Sequence, residues 1–162
     1  MTRSYQSAAQ RSFAGLLMNK TSNFFKPIKL RAIDDRDLLI FSQCLYESIV
    51  LPSEIVFNKD EKCFAIAIER FTWEIAEGKD HKLMQVLSIL IINGVLKIEG
   101  LNNDIFNNIC TISSISNLDN NILMLLNNKH TLNLKVKNWS CTLEDIGEPK
   151  WPATTPVHFQ NN

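Results

Sequence analysis

The sequence predicts an α+β fold, with one N-terminal helix packed on a curved, mainly antiparallel sheet of about six or seven strands. Three observations carry this. A helical period stands near the start, where Leu38, Phe41, Leu45 and Ile49 recur at spacings of three and four. Most later segments alternate apolar and polar side chains with the period of a strand. Short polar turns join those segments, and short connections imply antiparallel neighbours because parallel strands need long crossovers.

Residues 27–33, "PIKLRAI", read as a first strand, with Pro27 at its start where a missing N–H costs nothing. The helix is expected over 35–50. Asp34 suits its N-cap, Asp35 and Asp37 put negative charge at the positive end of the helix dipole, and Pro52 stops it. "SEIVF" (53–57) and "KCFAIAIERFTW" (62–73) flank "NKDE" and predict a hairpin. In its second strand Phe64, Ile66 and Ile68 share one face and Cys63, Ala65 and Ala67 the other. The small face is expected to receive the helix. "LMQVLSILIINGVLKIEG" (83–100) favours strand, with Asn93-Gly94 as either a turn or a bulge. "NICTISSIS" (108–116), "NILMLLN" (121–127) and "HTLNLKVKNWS" (130–140) complete the series, the last one bulging and running into a turn at Gly147. A roll and a pleckstrin-homology-like barrel are both compatible with this order.

Residues 27–159 are expected to form a single α+β domain with an extended C-terminal tail. Residues 1–26 carry Arg3, Arg11, Lys20 and Lys26 and no carboxylate. A flexible basic extension is the favoured reading, against a transit peptide or an upstream start with Met18 as the true first residue.

Composition narrows the function classes. The 162 residues are 45% apolar and 21% charged, with a formal net charge of zero. That size and apolar content support a self-sufficient core. The neutral balance argues against a general nucleic-acid binder, which needs excess Lys and Arg to neutralise phosphates. The longest apolar run, 87–96, has about half the residues a membrane helix needs. Cys44, Cys63, Cys110 and Cys141 form no CxxC pair, and His81, His130 and His158 show no zinc spacing. Reduced thiols in a cytoplasmic protein are expected, with no cofactor and no metal.

Several stretches together resemble one alphaproteobacterial family, domain of unknown function twenty-nine forty-eight. They are "IKLRAIDDRDLLIFSQCLYESIV", "CFAIAIERFTWE" and "LKVKNWSCTLEDIG…W…PVH". The resemblance spans roughly residues 27 to 159, with a weaker middle section. This chain has Glu69 where the family usually has Asn. The resemblance implies a bacterial cytosolic protein and carries no known activity.

GxSxG, HExxH and Gly-rich phosphate-loop motifs are absent. The expected role is therefore a non-enzymatic protein-interaction module with another protein as partner. The alternative is a small-molecule binder or enzyme holding an acidic ligand at Arg70. Binding residues are expected among Arg70, Trp73, Trp151 and His158. Arg70 follows Ile68 in phase and so faces inward, where it needs an anion: a ligand, or Glu74, Glu54 or an Asp near the helix start. Phe71 and Trp73 are expected on the opposite face, as core or as an aromatic wall. Trp151, Pro152, Pro156 and His158 form an extended strip suited to a partner or to clamping the tail.

Overall fold

A computed structural model describes residues 25–75, 83–103, 107–127 and 129–150. The expectations for residues 1–24, Trp151 and His158 lie outside the described residues. Strand β1 (Lys29–Ala32) leads to helix α1 (Asp35–Leu45), then β2 (Ile49–Asn58) and β3 (Cys63–Phe71). A short 3-10 turn, Trp73–Ile75, follows. The remaining strands are β4 (Gln85–Glu99), β5 (Ile112–Leu118), β6 (Asn121–Leu126) and β7 (Thr131–Asp145). The sheet order is β2-β3-β4-β7-β6-β5, with β1 beside β7, and every pairing is antiparallel.

The Asp34 side chain accepts from Asp37 N at 2.9 Å, which caps α1 as its sequence implies. The helix ends at Leu45, five residues before the expected stop at 50. Glu47 adopts φ +61°, which breaks the helix, and Ile49 and Val50 join β2. Ile49 matched the helical period but is β-branched and pairs with Glu69 across the sheet.

The core lies between α1 and the sheet. Leu38, Phe41 and Leu45 pack in one cluster with Phe64, Ile66 and Ile68 of β3, Leu90 and Ile92 of β4, and Ile112 of β5. The helix thus packs on the bulky face of β3, not on the small one formed by Cys63, Ala65 and Ala67. Large side chains remove more apolar surface from water, and that gain outweighs the closer approach that small residues permit. Cys63, Ala65 and Ala67 stay half-buried on the outer face.

Asn93-Gly94 is a bulge within the long strand β4. Gly94 has φ +82°, and a Cβ there would stand 2.4 Å from the Lys137 carbonyl oxygen. On β7 the register shifts opposite it, and Asn138 takes φ +50°. Paired bulges bend both strands together. Beyond the bend β7 runs on to Asp145 as a strand. Its first half carries β6 and its second half carries β1 on the same edge.

The sheet is curved but does not close into a barrel. Its edges meet at the isolated bridge between Ile49 and Thr111. Past that point α1 lies along the β5 edge: Ser42 Oγ accepts from Ile115 N at 3.1 Å, and Asn117 Nδ2 donates to Asp35 Oδ1 at 3.0 Å. The helix stands where a closing strand would have to be. Among the described residues no helix is long and apolar enough to cross a membrane.

Candidate functional site

Arg70 is the last inward residue of β3 before Phe71, and its side chain is fully buried. Strand alternation puts it in line with Phe64, Ile66 and Ile68. Its guanidinium is closed by five hydrogen bonds. Nε and Nη2 donate to Asp145 Oδ1 and Oδ2, both at 2.7 Å. Nη1 and Nη2 donate to Glu74 Oε2 and Oε1 at 2.9 and 2.7 Å. Nη1 also donates to the Phe71 carbonyl at 3.0 Å. These are all the donors an arginine has.

Asp145 is equally saturated. Besides Arg70, its Oδ1 accepts from Ser88 Oγ at 2.7 Å and its Oδ2 from Ile28 N at 2.9 Å. The group ties β1, β3, β4, β7 and the 3-10 turn at one point. It carries one positive and two negative charges. The Ile28 N–H and the Ser88 hydroxyl disperse part of the excess, as donors to a carboxylate do. Burial alone would push the Arg70 pKa down. The hydrogen bonds that Arg70 donates to Asp145 and Glu74 outweigh it and hold the pKa above its ordinary value, so the guanidinium stays charged.

Of the anions that sequence reasoning offered for Arg70, Glu74 is a partner and Glu54 is not; Glu54 is exposed on β2. Asp35 and Asp37 serve Asn117 and the Ile33 N–H. Asp145 is the last residue of β7, two positions ahead of the turn expected at Gly147. The signal that finds it is phase: Cys141, Leu143 and Asp145 alternate inward along β7. Trp73 does not continue the outer face. The strand stops at Phe71, and the 3-10 turn swings Trp73 back to the end of α1. Its Nε1 donates to the Tyr46 carbonyl at 2.8 Å, and its ring centre lies 5.8 Å from Tyr46 and 5.9 Å from Phe71.

Lys150 pairs with Gln85 through the backbone, and its Nζ donates to Glu69 Oε1 at 2.8 Å. Both contacts fix Lys150, the last of the described residues. Cys44, Cys63, Cys110 and Cys141 form no disulfide with one another, and burial pushes the Cys44 thiol, near the Arg70 group, up to about 11. Among the described residues no group of His, Cys, Asp and Glu is arranged to hold a metal ion.

These features define an α+β domain, one helix on an open antiparallel sheet, organised around a buried arginine held by two carboxylates. The chain belongs to the family described as protein of unknown function (DUF2948), which it matches over residues 28–158. The matched range begins at Ile28, whose N–H caps Asp145, and runs past Lys150. No curated protein and no solved structure matches the chain.

Proposed function

We propose that residues 27–159 act as a bacterial, cytoplasmic, non-enzymatic protein-interaction module whose partner seats on the outward face of α1. One observation carries the reading. Leu39 and Ile40 are 67% and 38% exposed on the side of α1 away from the core, and Ile33 just before the helix is 42% exposed. Helical spacing places Leu39 and Ile40 together with Arg36 and Gln43, opposite Leu38, Phe41 and Leu45. Asp34, Asp35 and Asp37 border this apolar strip, so the partner presents an apolar surface flanked by basic residues. The neutral overall charge supports a protein in preference to a nucleic acid.

Within this reading Trp73 extends the surface at the far end of α1, beside Tyr46. Arg70 acts through Glu74 and Asp145 as a positioning residue that fixes the turn carrying Trp73. Its five donors are used inside the chain, which supports that role over direct capture of an acidic ligand. Trp151 and His158 belong to the same proposal as a second contact strip following Lys150.

A photoreactive benzoylphenylalanine at Leu39, with Lys137 as the control position, tests the reading in the cytosol of the source cells. The expected result is a discrete adduct from Leu39 only, lost when Ile40→Glu is added to a folded chain. Equal adducts from both positions, or none from Leu39, would refute it.

A further inference from the structure

The edge of β2 is unevenly protected. Its first part is blunted: the register with β3 shifts between Val50 and Ile55, and Pro52 lies in that shifted stretch. Natural sheets guard edges with such bulges, prolines and charges. Ile55 to Asn58 has none of them. It pairs with β3 on one side, and among the described residues no strand pairs with the other. Its side chains are unfinished on both faces. Ile55 and Phe57 pack against the rim of the core but stay half-buried, and Val56 on the outer face is 59% exposed.

We infer that this edge pairs with the same edge of a second copy of the chain, continuing the sheet across a two-fold axis at Val56. The segment is self-complementary in that register. Residues directly opposite must share a face in antiparallel pairing. With Val56 opposite Val56, Ile55 meets Phe57 on the core side and Glu54 meets Asn58 on the outer side. Glu54 of each copy faces the uncharged Asn58 of the other, so no like charges oppose one another across the axis. A one-residue slip would set core-side against outer-side residues. The contact is independent of the partner surface on α1, so either can fail alone.

Sedimentation of the purified full chain across the micromolar to millimolar range tests this. The expected result is a concentration-dependent shift from 18.5 kDa toward twice that mass, lost in Val56→Lys. A single species at 18.5 kDa throughout, or a dimer that survives Val56→Lys, would overturn the inference. Should Val56→Lys fail to fold, oxidative cross-linking in a Cys63→Ser background decides. Val56→Cys meets itself on the axis and forms a linked dimer, whereas Glu54→Cys faces Asn58 and does not. Equal cross-linking by both variants, or by neither, would also overturn it.

Discussion

Asp145→Asn is the sharpest probe of the buried arginine group. The substitution keeps the shape of the side chain and turns one carboxylate oxygen into a donor. Asp145 accepts four hydrogen bonds, from Arg70 Nε and Nη2, Ser88 Oγ and Ile28 N. Asparagine can accept only on its one oxygen, so two of these donors lose their acceptor. A hydrogen bond to a charged group contributes about 1.5–3 kcal/mol, and removing one partner of a buried ion pair costs about 3–5 kcal/mol. Glu74 still neutralises Arg70, which places the loss at the low end, about 3 kcal/mol. That is a large share of the roughly 5–15 kcal/mol that holds a domain folded. In a chain of this size it lowers the thermal midpoint by about 6–12 °C. Urea denaturation followed by tryptophan fluorescence measures it, with Glu144→Gln as control. Glu144 is exposed on the neighbouring position of β7 and pairs with Lys29 at 3.5 Å, so its loss costs less than about 1 kcal/mol. If Asp145→Asn and the control shift stability equally, the buried group is not what joins these strands.

Gly94→Ala is expected to destabilise by more than about 1 kcal/mol in the same assay, because φ +82° and the Lys137 carbonyl at 2.4 Å leave no room for a Cβ. Asp34→Ala removes the cap of α1 and costs about 1 kcal/mol, with a matching loss of helical circular dichroism on mild heating. Burial raises the Cys44 thiol to about 11 and the Cys141 thiol to about 12, from an ordinary 9.0. The folded chain therefore holds protons that the unfolded chain releases, and stability is full below pH 9 and falls as pH rises toward 11 and 12. Denaturation midpoints between pH 8 and 11 should fall less steeply in Cys141→Ala than in the parent.

What was legible in the sequence was whatever depends on neighbours along the chain. The cap at Asp34, the hairpin about "NKDE" (58–61, with the turn observed at 59–62) and the alternation of Phe64, Ile66 and Ile68 are local, and the sequence shows them. Arg70 was legibly inward because it keeps that alternation. Its partner Asp145 was not, because the two lie 75 residues apart and meet only when β4 pairs with both β3 and β7. Trp73 was misplaced because strand phase was carried two residues past the end of β3. Ile49 was misplaced for the converse reason: a fourth helical repeat was counted where Glu47 had already turned the backbone. The choice of helix-facing side on β3 was a question of energy rather than period, and residue size settles it in favour of the larger face.

The way β7 serves three neighbours has a consequence for how the chain is made. β1 leaves the ribosome early, yet Ile28 and Asp145 are 117 residues apart. The first strand cannot dock until the seventh has emerged, and β4 and β6 wait for the same strand along its two edges. Pairings this distant in sequence close slowly, and until they close the apolar strands remain open to the wrong partners. A chain stalled after β6 would therefore hold most of the core residues in two pieces, β2-β3-β4 and β5-β6, without the strand that joins them into one sheet. Shortening this protein from its C-terminal side leaves an unfinished sheet, not a smaller one.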